Sequence, residues 1–284
     1  MLTKSFVESG ILNVFNTFPE NQVTAEEALI PEAIGMPLFD EPIVGIGAAD
    51  DPLFVKLKEE DVVGPWYMTP KEWYPEAKSV ISIFFPLSEP IRKSNRSCTK
   101  EPSPQWLHGR IEGHMYIMKF TRKFCQWLTE QGIGWCFPDD DSRHVGITAG
   151  NAMQEYECVT ERTFGSNWSE RHTAYICGLG TFGLSKGLIT RKGMAGRFIS
   201  VIVNQEIPAD LRPYSGIYEY CSMCGACMRR CPMEAISLET GNDLSICNIQ
   251  ISSMRKKYSP RYGCALCQTG VPCENKIPEK RGNY

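Results

Sequence analysis

The chain has 284 residues, a net charge of −3, 42% apolar residues and 22% charged ones, the proportions of an ordinary globular protein long enough for one large domain or a medium domain with a small appendage. No run of 18 or more apolar residues is present, which excludes a transmembrane helix. The balanced charge, without a long basic run, argues against a nucleic-acid partner, whose phosphates call for a basic face.

Residues 1–42 read as an amphipathic helix followed by a connector rich in Pro and Glu. The opening stretch MLTKSFVESGILNVF has neither a secretory apolar segment nor a twin arginine, so a cytoplasmic protein is expected. Residues 43–205 alternate between strands and helices, an α/β or α+β domain. Residues 42–47 (PIVGIG), 79–85 (SVISIFF) and 198–203 (FISVIV) read as buried strands, rich in β-branched and aromatic residues. Residues 111–130 read as a helix with Ile117, Phe120, Phe124, Trp127 and Leu128 on one apolar face, stopped by Gly132 and Gly134. Residues 206–284 open with a Pro/Gly loop and hold most of the cysteines.

Thirteen cysteines in a cytosolic chain are not a disulfide framework, because that compartment is reducing. Cys98, Cys125, Cys136, Cys158 and Cys177 are scattered and read as small buried hydrophobes. The other eight fall between Cys221 and Cys273. Cys221, Cys224, Cys227 and Cys231 with Pro232 spell C-x2-C-x2-C-x3-C-P, the bacterial ferredoxin spacing, in which three thiolates wrap one 4Fe–4S cube and the fourth ligates another. The second cube needs four more thiolates, and Cys247, Cys264, Cys267 and Cys273 complete eight. Paired C-x2-C motifs also build four-cysteine zinc sites, but four cysteines within eleven residues followed by Pro fit zinc poorly.

With these motifs the chain resembles the epoxyqueuosine reductases and cobalamin-dependent reductive dehalogenases. The resemblance covers roughly residues 40–275. Outside the cysteines it rests on residues 42–47, on 72–83 (EWYPEAKSVISI), similar to the family's P-x-AKSVI strand, and on 170–183 (ERHTAYICGLGTFG), similar to its ER-x-x-A-x-x-AGLG-x-x-G element. It implies a nitroreductase-like core followed by a double-cluster ferredoxin-like domain. It also implies one cube on Cys221, Cys224, Cys227 and Cys273 and the other on Cys231, Cys247, Cys264 and Cys267. Where the family's second motif is usually C-x2-C-x3-C-P, five residues here separate Cys267 from Cys273. Gly178, Gly180 and Gly183 would form a glycine-lined wall beside a cobalamin. The competing readings of these glycines are a structural turn and a dinucleotide site, and the latter lacks the preceding strand and the later acidic residue. The implied function is an iron–sulfur reductase that takes electrons from a low-potential donor such as ferredoxin or flavodoxin. They would pass through two clusters to a cobalamin and reduce a small-molecule substrate. The alternative is an electron-transfer or accessory protein that binds no cobalamin.

Two departures from the family's pattern weaken a tRNA-base substrate. The stretch 163–169 (TFGSNWS), where the family carries an acidic proton donor, has no carboxylate, and the C-terminal helical repeats of many tRNA-acting members are missing. A DxHxxG motif for a lower cobalt ligand is absent too. His114 and His144 could serve as acid–base groups but read more readily as structural histidines; Tyr156 and Tyr175 could donate protons; Asp139–Asp141 after Pro138 read as a solvated turn.

Overall fold

The computed structural model describes residues 2–160 and 163–279. Helix α1 (Lys4–Thr17) starts where the Thr3 hydroxyl accepts from the Phe6 amide, a side-chain N-cap. Val7, Ile11 and Val14 face inward. At Gly10 the Trp127 indole fills the place of a side chain, its ring 2.5 Å from where a Cβ would stand. The N-terminal helix is thus packed into the middle zone.

Strands β1 (Ile43–Ala48) and β2 (Ser79–Pro86) pair antiparallel, Ile43 opposite Phe84 and Ala48 opposite Ser79. Helices α2 (Glu89–Arg96) and α3 (Pro104–Arg110) each carry Pro in the first turn, where its missing N–H costs nothing. Helix α4 (Glu112–Glu130) buries Ile117, Phe120, Phe124 and Leu128 as its spacing predicts. Gly132, at φ +73°, then turns the chain towards β3 (Trp135–Cys136). Helix α5 (Glu170–Ile176) leads into a hairpin of β4 (Gly180–Phe182) and β5 (Leu188–Thr190), followed by β6 (Gly196–Val203) and, in the cysteine region, α6 (Leu244–Tyr258).

The main sheet runs β1–β2–β6–β3, every pair antiparallel. The middle zone is therefore α+β. Val44, Ile46, Ile81, Ile83, Phe85, Ile199 and Val201 point to one face and close the principal core with α1 and α4. Ile43, Val80, Phe84 and Ile202 point to the other, towards α5. Each such buried side chain contributes about 1.5–3 kcal/mol. Gly47 lets the end of α5 approach the sheet, since a Cβ there would stand 2.9 Å from Cys177 Sγ. β3 pairs only with Ile202 and Val203. On that side, among the described residues, the edge of β6 from Gly196 to Val201 has no partner strand, and its first three residues reach solvent.

The cysteine region is tied to this core by buried charges. Arg230 donates to Leu266 O at 2.9 Å and to Asn95 O, Arg96 O and Cys98 O at 3.1 Å each, gathering carbonyls at the end of α2, where the helix dipole favours a cation. Glu274, 4% exposed, pairs with Arg96 at 2.6 Å and accepts from the Gly270 amide at 2.6 Å. Arg261 donates to Glu112, which also faces His108 Nδ1 at 3.2 Å. Among the described residues no helix is long and apolar enough to cross a membrane.

Candidate iron–sulfur centres and an adjacent recess

Electrostatic interactions group the eight clustered thiols into two sets that are not fully separate. In the first, Cys273 interacts with Cys221, Cys227 and Cys224; in the second, Cys264 and Cys267 interact with Cys247 and Cys231, and Cys267 interacts also with Cys227 of the first. The five-residue spacing before Cys273 is taken up by a turn. Leu266–Gln268 form a single 3₁₀ turn, Gly270 adopts φ +66°, and the Glu274 carboxylate folds back onto the Gly270 amide. That turn carries Cys273 away from Cys267 and across to the first set. There its Sγ lies 3.2 Å from Met194 Sδ, and Met194 N donates to Cys273 O at 2.9 Å.

Burial pushes the Cys227 and Cys264 thiols up to about 11 and Cys273 up to about 12, with neighbouring thiols adding to each. Cys267 is raised further by the same causes. Bare thiolates are disfavoured in these pockets, so bound iron must supply the charge that deprotonates them. Among the described residues no three His, Cys, Asp or Glu side chains come close enough to hold a single metal ion. Met223 (φ +49°), Gly225 (φ +67°) and Ala265 (φ +51°) take left-handed conformations inside the two cysteine loops. Such turns aim successive N–H groups to one side, as anionic clusters require. Cys231 Sγ accepts one such bond from Ala235 N at 3.3 Å.

Two of the three glycines expected to wall a cofactor, Gly178 and Gly180, stand against protein backbone. A Cβ on Gly180 would run into the carbonyl oxygen of Ile189 and stand 2.8 Å from its carbon, because Gly180 pairs with Thr190 in the β4–β5 hairpin. A Cβ on Gly178, at φ +80°, would stand 3.2 Å from Asp210 Cβ and 3.3 Å from Leu211 O. Gly183 does border an enclosed cavity, but it is the one walled by Cys221, Cys224, Cys227 and Cys273. These glycines serve chain packing and the first thiol set.

A different feature stands at the open edge of β6. Glu170, the first residue of α5, accepts from Trp168 Nε1 and Ser200 Oγ at 3.1 Å each through Oε1, while Oε2 is buried without a partner. Burial and the nearby Asp139 hold its carboxyl far above the usual range. Asp139 itself departs from the expected solvated turn. Asp140 and Asp141 face outward onto Arg122 and Arg143, at 2.6 and 2.7 Å, but Asp139 turns inward, 3.7 Å from His144 Nδ1, and burial raises its pKa. Beside them Arg197, at the start of β6, donates from Nη2 to His114 Nδ1 at 3.4 Å. Burial pushes His114 down to about 4, Arg197 and Arg110 adding to the effect, so the imidazole is neutral and accepts. His114 is exposed and Arg197 and Glu170 are half-buried. With Asp139 they make up a polar recess beside the unpaired stretch of β6. Glu170 opens the 170–183 element, whereas Arg197 carries no motif; its available signal was a charged residue leading an otherwise apolar strand. Tyr175 instead packs on Phe182 and Tyr214, and Tyr156 on Trp66. Of the five scattered cysteines, Cys125, Cys136 and Cys177 are buried in the core, and none joins either thiol set.

Residues 215–237 match the family described as a 4Fe-4S binding domain, so this segment is a 4Fe–4S binding unit. No curated protein matches the chain. Among solved structures, a catabolic reductive dehalogenase is 14% identical, with a TM-score of 0.51 over 96% of this chain and 37% of that one. The B12-dependent reductive dehalogenase is also 14% identical, at 0.50 over 95% and 37%. Epoxyqueuosine reductase from Streptococcus thermophilus is 16% identical, at 0.48 over 84% and 65%. The chain spans little more than a third of the dehalogenases and less than two thirds of that reductase. The likeness to the dehalogenases establishes the shared fold.

Proposed function

We propose that this chain is an iron–sulfur oxidoreductase that carries two 4Fe–4S clusters and delivers electrons to a cobalamin in the recess at the β6 edge, for reduction of a small-molecule substrate. The iron–sulfur part is supported by the match of residues 215–237 to a 4Fe-4S binding domain and by the interactions of Cys273 with Cys221, Cys224 and Cys227 and of Cys264 with Cys247 and Cys231, which favour a crossing of Cys231 to the second set. Cys221, Cys224, Cys227 and Cys273 hold one cube, and Cys231, Cys247, Cys264 and Cys267 the other, an exchange that keeps the cubes adjacent for electron transfer. A Cβ on Gly263, next to Cys264, would stand 3.6 Å from Arg110 Cγ, and Arg110 interacts with Arg197. This supports a second cube on the recess side.

The cobalamin reading is supported by the fold shared with a B12-dependent dehalogenase and by two buried polar atoms without partners in the recess, Glu170 Oε2 and Arg197 Nε. Amide side chains of a corrinoid would satisfy both. When bound, the corrinoid supplies a redox-active metal centre. The chain's own residues supply position and charge: burial and the neighbouring Asp139 raise the Glu170 carboxyl and so favour its holding a proton. A second reading, a two-cluster electron carrier on the same fold, is favoured by the glycines, which leave no cradle beside the hairpin.

Anaerobically purified protein should contain about eight irons per chain. Its absorption spectrum should change on adding cobalamin under reducing conditions. About four irons, or stoichiometric zinc, would remove the double-cluster claim. Eight irons with no spectral response to cobalamin would leave the electron carrier.

A further inference from the structure

Among the described residues no carboxylate lies within ion-pair distance of Arg197, its one polar contact is the neutral His114, and its Nε is shut off from water with no acceptor. The charge that acts on it most strongly is a second cation, Arg110, whose Nη2 donates to Tyr262 Oη at 2.8 Å and whose guanidinium stacks 4.7 Å from the Tyr262 ring. Asp139 contributes a weaker attraction. Two guanidiniums side by side in a recess, one with a free donor, are costly to keep charged. Burial and Arg110 accordingly pull Arg197 down to about 9. The arrangement fits a protein that leaves the counter-charge to a ligand, since a planar fork of N–H donors is the geometry that grips a carboxylate or phosphate.

We infer that Arg197, flanked by Arg110 and His114, binds an anionic group, a carboxylate or phosphate, of the molecule reduced in the recess. Asp139 interacts with both Arg197 and Glu170, so a substrate anchored at Arg197 would present its uncharged part towards the protonated Glu170 end. The word substrate rests on the oxidoreductase reading; the anion site does not.

The test is anaerobic thermal unfolding of the iron-loaded full chain at constant ionic strength, with benzoate, inorganic phosphate or neutral benzamide added. Wild type should be stabilised by benzoate or phosphate in a saturable way and not by benzamide. Arg197→Met should weaken that anion affinity at least tenfold while unfolding at or above the wild-type temperature without ligand, because an uncompensated charge has been replaced by an apolar stem. Arg110→Met, at the neighbouring cation, should give a smaller loss of affinity. No anion stabilisation of wild type, or wild-type affinity in Arg197→Met, overturns the site. Cobalamin is titrated into the same samples. If Arg197→Met loses cobalamin together with the anions, Arg197 serves the phosphodiester of the cofactor and the substrate assignment falls. If wild type binds anions but no cobalamin, the cofactor reading falls and the anion site stands.

Discussion

Gly180→Ala separates a glycine that serves a ligand from one that serves the fold. The residue is buried in β4, opposite Thr190. An added Cβ would collide with the Ile189 carbonyl oxygen, with the Ile189 carbon at 2.8 Å and Thr190 Cα at 3.1 Å. All three are backbone atoms, so no side chain can rotate aside. β5 cannot retreat either, because Thr190 and Gly193 exchange hydrogen bonds of 3.0 and 2.8 Å just beyond it. Overpacking costs about 1–3 kcal/mol, and each hairpin hydrogen bond lost adds about 0.5–1.5 kcal/mol. A total of about 3 kcal/mol corresponds to a fall in unfolding temperature of about 6–12 °C for a domain of this size. The assay compares thermal unfolding, iron content and cobalamin titration of the variant with wild type. A variant that unfolds at the wild-type temperature with full iron, yet loses cobalamin binding, would refute the packing argument and return Gly180 to a cofactor wall.

Cys224→Ser and Cys231→Ser should perturb different clusters despite lying in one motif, and loss of the same paramagnetic signal in both would contradict the exchange of ligands. Replacing Cys98, Cys125, Cys136, Cys158 and Cys177 one at a time by Ala should leave iron content near wild type; a fall in iron for any of them would place it among the ligands. Glu170→Gln keeps the acceptor for Trp168 and Ser200 but removes the ionisable group. A carboxyl whose folded pKa is raised contributes stability that is full below its unfolded pKa and lost as pH rises through the folded one. The variant should therefore gain on wild type as pH increases above about 4.5, read as denaturant midpoints across pH 5–9. Parallel pH curves for the two proteins would show that Glu170 is not buried as a neutral acid.

The strands at 43–48, 79–86 and 196–203 and the helix at 112–130 were legible because period and residue type agree there with burial. The cluster motif was legible because ligand spacing is a local property of the chain. What escaped depended on partners distant in sequence. The glycines of 178–183 match a family element, but only the hairpin register shows that Ile189 occupies the space beside Gly180. Asp139 shares its turn with two solvated aspartates, and only the short length of β3 leaves the β6 edge open beside it. The assignment of Cys273 hangs on Glu274, whose carboxylate reaches back to the Gly270 amide and across to Arg96.

The same contacts bear on whether residues 206–284 form a separate domain. The β5–β6 turn is built against the cluster shell: Gly193 adopts φ +77°, and a Cβ there would stand inside the backbone of Glu274 and Asn275. The next two residues, Met194 and Ala195, donate to Cys273 O and Glu274 O. Arg230, one residue before the ligand that crosses between cubes, is anchored on carbonyls at the end of α2. Arg261 and Tyr262, just ahead of Cys264, engage Glu112 and Arg110. Each cysteine segment thus carries a core contact within about three residues of a ligand, and the second set is reached through the arginine that also borders the recess. An electron relay needs donor and acceptor held at a constant separation. Here Arg110 is the residue shared between the two, since it holds Tyr262 two residues before Cys264 and acts on Arg197.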